Sequence, residues 1–367
     1  MTRSTRQWLF TLLASAGAVP AFAQEQAAAV DTGDIVVTAQ RREESLQDVP
    51  VSVAAISGER LSLIQAGGAD IRALAGRVPS LNIESSFGRS FPRFYIRGLG
   101  NTDFDFNASQ PVSLVYDDVV LENPILKGFP IFDLERVEVL RGPQGTLFGR
   151  NTPAGIVKFD TVKPDSEGGF VRASYGNLGT INAEGGASVQ LSERFAVRIS
   201  GLWQHRDDWV DNLETPRNND LEGFDDIAAR LQLQYQDEAL TARLTGQFRT
   251  LNGTARVFRA NSFAVGSNRL IGLGGPNTRF RRGQVRTDGI NFQDMDNYNV
   301  GLTVDHDLGP VTLTSVTSYW NGNIKSRGDI DGGFGNIFVP GGSRPGSSSS
   351  LTLTAPEVTI RLTSGRR

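Results

Sequence analysis

Few residues in this chain have the types and spacing that chemistry requires. The densest motif runs from Arg136 through Val137, Glu138, Val139, Leu140, Arg141, Gly142, Pro143, Gln144, Gly145, Thr146, Leu147, Phe148, Gly149 and Arg150 to Asn151. A phosphate loop would close on Gly-Lys-Ser/Thr, with the lysine on phosphate and the hydroxyl on magnesium. Here Arg150 and Asn151 follow Gly149, and Gly98-Leu99-Gly100 supplies only two glycines of a dinucleotide fingerprint. Acidic pairs stand at Asp117-Asp118, Asp207-Asp208 and Asp225-Asp226. Neighbouring carboxylates on a strand point to opposite faces and cannot flank one glycosidic bond, so turn formation or solvation is their expected role. The chain has no cysteine, which excludes thiolate nucleophiles, thiolate metal sites and disulfides. Its two histidines, His205 and His306, are far apart, and neither a Gly-x-Ser-x-Gly elbow nor a His-Glu-x-x-His segment occurs. The reading is a protein without catalytic residues, metal ligands or cofactor.

What remains is a binding or structural role. The 37 basic and 40 acidic residues lack the basic excess of a nucleic-acid binder, so no nucleic-acid partner is expected. Hydrophobic residues make up 39% and there are 41 glycines, which disfavours a helical membrane protein and leaves a β-rich one open. At the N-terminus, Arg3 and Arg6 precede a short apolar run from Trp8 to Val19, then Ala21-Phe22-Ala23. The run is too short for a bilayer span of about 20 residues and has the form of a cleavable secretory signal over 1–23.

The elements follow in three blocks. Residues 24–44 read as a polar, unstructured arm interrupted by the β-branched run Asp34-Ile35-Val36-Val37-Thr38-Ala39. That run is either the first strand of the next domain or a peptide that pairs with a partner's exposed sheet edge. Residues 45–163 read as a compact α/β domain: a strand at 51–56, a helix from the Ser57 cap to Gln65, and a helical turn after Asp70. Short strands follow at 81–85, 93–97, 112–116, 131–140 and 156–161. From 164 to 367 the pattern changes to long apolar/polar alternation, as in Ile227, Ala229, Leu231, Leu233 and Tyr235 against Ala228, Arg230, Gln232 and Gln234. Strands of roughly ten residues with one apolar and one polar face fit a transmembrane barrel; a soluble β-sandwich also alternates. Tight turns near 192–193, 236–238 and 308–310 alternate with long polar connections near 207–224, 250–294 and 322–353, which favours the barrel. Trp203, Trp209, Tyr319 and Trp320 are the candidate interfacial aromatics.

Asp34 to Ala39, Leu46-Gln47-Asp48-Val49-Pro50, Tyr95-Ile96-Arg97-Gly98 and the run from Arg136 to Asn151, in this order, closely resemble TonB-dependent outer-membrane receptors of the siderophore type. The resemblance implies a plug domain inside a 22-stranded antiparallel barrel that imports a scarce ligand, most often a ferric siderophore, with cobalamin, haem, nickel complexes and oligosaccharides as alternatives. It implies the inner-membrane TonB complex as partner, with Asp34, Ile35, Val36, Val37, Thr38 and Ala39 as the TonB box, and outer-membrane lipid around the barrel. Arg97, Glu138 and Arg141 match charged plug positions that would contact carboxylates on the barrel wall; plain solvation is the alternative. Ligand contacts in the family come from plug apices and outer loops, which makes Phe87, Arg89, Asn101, Asp103, Phe104 and Phe106 candidates here, with packing against the wall as the alternative.

The strand count departs from the family. About eight strands follow residue 165, and the chain ends Leu362-Thr363-Ser364-Gly365-Arg366-Arg367 without a terminal aromatic. Eight strands close around side chains only, so a plug of roughly 120 residues does not fit inside them. The expected fold is therefore a β-rich membrane protein: an α/β plug followed by part of a barrel. The chain is read as a truncated form that does not transport alone, with a transport-incompetent binding module or a secreted β-rich surface protein as further possibilities.

Overall fold

The computed structural model describes residues 36–38, 41, 44–66, 70–85, 87–103, 108–165, 167–213, 220–254, 257, 262–263, 270–271, 281–285, 287, 289–328 and 347–364. The expected secretory signal, most of the arm, and Asp34, Ile35, Ala39, Phe104 and Phe106 lie outside the described residues.

The first block forms β1 (Val36–Val37), β2 (Glu44–Ser45), β3 (Ser52–Ser57), α1 (Gly58–Ala66), a 3-10 turn (Ile71–Leu74), β4 (Leu81–Glu84), β5 (Arg93–Ile96), β6 (Val112–Tyr116), β7 (Val119–Leu121), β8 (Leu134–Arg141), α2 (Gly145–Phe148) and β9 (Gly155–Thr161). Asp70 starts the 3-10 turn by accepting the Arg72 amide at 3.0 Å, as its sequence position suggests. Five strands join in the order β3-β8-β9-β6-β7. All seven residues of β9 and all five of β6 are buried, and the two pair in parallel. Strands buried along their whole length belong in the middle of a sheet covered on both faces. One face carries Leu114, Val137, Val139, Val157 and Phe159, the other Val115, Leu140 and Ile156. Gly155 makes the close pairing of β8 with β9 possible. Its φ is +143°, and a Cβ there would lie 2.1 Å from the Leu140 carbonyl oxygen.

The second block supplies β10 (Gly168–Tyr175), β11 (Ile181–Ser192), β12 (Phe195–Arg206), β13 (Asp211–Asn212), β14 (Phe224–Gln236), β15 (Leu240–Gly253), β16 (Ser262–Phe263), β17 (Leu270–Ile271), β18 (Gln284–Val285), β19 (Phe292–Asp307), β20 (Val311–Gly328) and β21 (Ser347–Ser364). Eight of them form one antiparallel sheet, β10-β11-β12-β14-β15-β19-β20-β21, each paired with its sequence neighbour among the long strands. The eight expected strands are present and all but β10 are longer than expected: β19 has 16 residues and β20 has 18. The long connections shrink accordingly, because polar residues such as Asn252 and Gln293 stay paired in the ladder beyond the apolar stretch.

The expected tight turns are in place. Asp237 Oδ1 accepts the amides of Ala239 and Leu240 at 3.0 and 2.8 Å, and Gly309 takes a φ of +87° between β19 and β20. One sheet face presents Ile199, Trp203, Ile227, Leu231, Leu233, Leu244, Phe248, Tyr298, Val300, Leu302 and Tyr319 outward. The other buries Arg198, Gln204, Asp226, Arg230, Gln232, Gln247 and Arg249 against the first block. Trp203 and Tyr319 are outward aromatics as expected. Trp320 is not: the strand's alternation turns it inward, where it packs on the first block beside Tyr116. Trp209 packs with Val210, Leu221, Val257 and Val285 beyond the strand end.

Candidate functional site

Two sets of side chains draw distant parts of the chain together. The first holds the N-terminal segment. Val36 and Val37 pair antiparallel with Ser45 and Glu44, and Val37 is fully buried among Val49, Val115, Leu140, Phe148 and Ile156. Thr38 reaches a cluster of four charged side chains on β8 and β9. Its amide donates to Glu138 Oε1 at 2.7 Å. Its hydroxyl accepts from Lys158 Nζ at 2.5 Å and lies 3.2 Å from Glu138 Oε1 and 3.3 Å from Asp160 Oδ2. Lys158 pairs with Asp160 at 2.9 Å, and Arg136 pairs with Asp160 at 3.2 Å while donating to the Val36 carbonyl at 3.4 Å.

Period-2 geometry explains the convergence, since Arg136 and Glu138 share one face of β8 and Lys158 and Asp160 share one face of β9. Burial raises the Glu138 carboxyl above its ordinary range, only partly offset by the Thr38 amide and Lys158. Burial also opposes ionisation of Asp160, but Lys158 and Arg136 outweigh it and hold that carboxyl low.

The second set joins the first block to the strand wall. Asp133 takes Arg198 through both carboxylate oxygens, at 2.8 and 2.5 Å, and its amide donates to Glu184 Oε1 at 2.9 Å. Arg230 donates to the Asp133 carbonyl at 3.3 Å, to Gln247 Oε1 at 2.9 Å and to the Tyr116 hydroxyl. Near the long-loop end, Asp226 accepts from Arg249 at 2.8 and 2.7 Å and from Arg89 at 3.2 Å. Arg89 also stacks over Phe224, 4.0 Å from the ring centroid, and bonds to Gln204. Gln293 donates to the Phe87 carbonyl at 2.8 Å and to Ser90 Oγ at 2.5 Å.

Several sequence expectations are redistributed. Asp226 is a wall anchor rather than a solvated turn carboxylate, although its neighbour Asp225 does point to the other face. Arg89, a candidate ligand contact, is committed to Asp226. Phe87 packs edge-on against Phe91, with centroids 5.3 Å apart. Asn101 organises its own loop, accepting the Asp103 amide at 2.9 Å and donating to the Ser109 carbonyl at 2.7 Å. Glu138 accepts from Thr38. Arg97 is exposed at a φ of +54°, and Arg141 is half-buried at the end of β8. No hydrogen bond or ion pair joins Arg97, Glu138 or Arg141 to the eight strands among the described residues. Sequence reasoning missed Asp133, Arg198 and Arg249. For Arg198 and Arg249 the signal was a charged residue at an inward position of an otherwise alternating strand; Asp133, in the loop before β8, carried none.

Residues 45–156 match the family model of the TonB-dependent receptor plug domain. The chain is 32% identical over 185 residues to the pesticin receptor of Yersinia pestis, covering 50% of this chain and 25% of that protein. It is 28% identical over 239 residues to the vitamin B12 transporter BtuB of Vibrio vulnificus (strain CMCP6), covering 62% and 35%. Among solved structures, the ferric yersiniabactin uptake receptor FyuA from Yersinia pestis superposes with a TM-score of 0.68 at 18% identity, covering 86% of this chain and 46% of that one. The open form of the ferric-catecholate import receptor Fiu from E. coli K12 gives 0.65 at 18%, covering 90% and 49%. Residues 45–156 thus match the plug domain of TonB-dependent receptors, and the chain shares the fold of the solved receptors' plug and adjoining barrel wall over the parts that superpose. It spans about a quarter to a third of the length of the first curated relatives it matches.

Proposed function

We propose that this chain serves in a TonB-dependent receptor of the outer membrane that imports a scarce chelate, and that no enzymatic step is involved. The observation that carries the reading is the N-terminal segment stored on the plug: a β-branched strand, paired over two residues only, whose Thr38 is held by side chains rather than by a sheet. The box is taken as 34–39, the plug as 45–163 and the barrel portion as 164 onward, behind a cleaved signal at 1–23. The apolar outer face of the eight strands supports lipid contact, and the plug against their polar inner face supports a gated lumen.

A ferric siderophore is the first ligand class to test, because relatives are named as ferrioxamine receptors and fold neighbours as ferric-siderophore receptors. Vitamin B12 is the second. Phe87, Asn101 and Asp103 remain the described candidates for the ligand face; Arg89 contributes by fixing the apex to the wall.

The test replaces Val37 with proline in the receptor and measures TonB binding, ligand binding and energised uptake. Proline removes the amide that strand pairing uses. TonB binding and uptake are expected to fall at least tenfold with ligand affinity unchanged. Unchanged TonB binding would remove the box assignment.

A further inference from the structure

One side chain touches both ends of the connection between β12 and β14. His205 pairs with Asp225 across the two strands, and their row continues through Asn252, Asp294 and Lys325 on the neighbouring strands. This polar row lies one outward position beyond Trp203 and Ile227, past the apolar band. Nδ1 of the ring meets Asp225 Oδ1 at 2.8 Å, and Nε2 meets Asp207 Oδ1 at 3.1 Å. Asp207 begins the connection and Asp225 follows its end.

Both contacts are hydrogen bonds only when the ring carries both protons. A neutral imidazole has one N–H, so one nitrogen would turn its lone pair toward a carboxylate. Asp225, and Asp207 with it, hold the second proton against partial burial and raise the ring above the ordinary histidine value of 6.5. The other charged groups nearby are turned elsewhere. Arg206 lies on the opposite face and donates to the Glu222 carbonyl at 2.6 Å. Asp208 accepts the Gly223 amide at 2.6 Å, and Asp226 is taken up by Arg89 and Arg249. The β11 partner is Ile181, and the turn at 176–180 has no titratable residue.

Strand pairing carries the consequence inward. The adjacent pair is Arg206↔Phe224, and Arg89 of the plug stacks on the Phe224 ring at 4.0 Å while Arg206 stacks on it at 4.9 Å. The histidine contact on the outward side is thus next to the seat of the plug apex on the inward side.

We propose that His205 is a pH-sensitive clip: as an imidazolium it fastens both ends of the 207–223 connection, and as a neutral ring it lets go of one of them. The clip is complete below about 6.5 and is lost as pH rises through the raised value of the ring. It does not depend on which ligand or partner the receptor takes.

The experiment places the full chain in detergent micelles, with ring-labelled histidine for NMR and a nitroxide at Leu213→Cys, an exposed position in the connection of a chain without cysteine. His205 and His306 are the only histidines, so His205→Gln assigns both ring signals. The His205 midpoint is expected to fall by about half a pH unit or more in Asp207→Asn/Asp225→Asn. The mobile fraction of the label is expected to rise about two- to fivefold from pH 5.5 to pH 8.5. It is expected to lose this pH response in His205→Gln, to keep it in His306→Gln, and to stay low at pH 8.5 in His205→Lys, whose charge persists. Lys127 also titrates in this range, and a rise caused by it would survive His205→Gln. The proposal is overturned by a His205 midpoint that the double variant leaves unchanged, by a label that ignores pH in the unaltered chain, or by a rise that persists undiminished in His205→Gln.

Discussion

Thr38 hands one amide and one hydroxyl to a cluster whose two anions and two cations are held by neighbouring strands. Removing the Glu138 side chain leaves the Thr38 amide without its acceptor, a loss of about 1–3 kcal/mol for a buried donor. In Glu138→Ala, a spin label placed at Val36 is expected to gain mobility; an unchanged spectrum would show that Val37 burial alone holds the segment. Asp226 presents the opposite case, one buried carboxylate between two buried guanidiniums. Asp226→Ala strands Arg89 and Arg249, and the expected cost is about 3–5 kcal/mol, read as a lower unfolding temperature in detergent.

Lys127 is buried in the plug, bonded to the Val112 carbonyl at 2.8 Å and to Gln110 Oε1 at 3.3 Å, and burial lowers its amine to about 7. Unfolded, it titrates near 10.5. Between these values the unfolded chain holds the extra proton, so the penalty is complete below about 7 and is relieved as pH rises toward 10.5. Lys127→Met is expected to raise the unfolding temperature more at pH 6 than at pH 9. An equal gain at both would contradict it.

At the level of the strands, alternation was legible because each long strand has one lipid-type face and one polar face. Ile227 to Tyr235 read correctly from the sequence for that reason, as did the turns where Asp237 and Gly309 supply the local geometry. Strand ends were less legible, because beyond the apolar stretch only ladder hydrogen bonds hold Asn252 opposite Asp294. Trp320 was misplaced because aromatic type alone does not give parity; its position two residues from Ser318 on the buried face does. The two faces should respond differently to charge. Leu231→Lys on the outward face is expected to cost about 2–4 kcal/mol in folding into lipid vesicles if it sits near mid-bilayer. Ser200→Lys, facing the polar interior, tests the converse: it should fold into the same vesicles with a smaller loss. Equal losses would mean that the outward face does not meet lipid.

Across the whole molecule, the sequence showed which blocks exist but not how they lock. Asp133 and Arg198 are 65 positions apart, and Arg89 and Asp226 are 137 apart. Nothing local ties such partners; only the docking of the plug against the wall brings them together, so Arg89 and Asp226 could each be singled out in the sequence but their pairing could not. The same holds for Glu138, Lys158 and Asp160, whose common target Thr38 lies 100 to 122 residues earlier in the chain, and for Arg136, which reaches Val36.

The order of strands in the plug sheet also sets an order of mechanical failure. Tension entering through Val36 would first open the two-residue pairing with Glu44 and Ser45, bond by bond. It would then reach β3, which is outermost and can be peeled from β8 while β9 and β6 stay packed in the middle. A pull from this end thus meets the weakest seams first and the buried parallel pair last. In a force-extension trace, the chain should lengthen in small early steps before any large one.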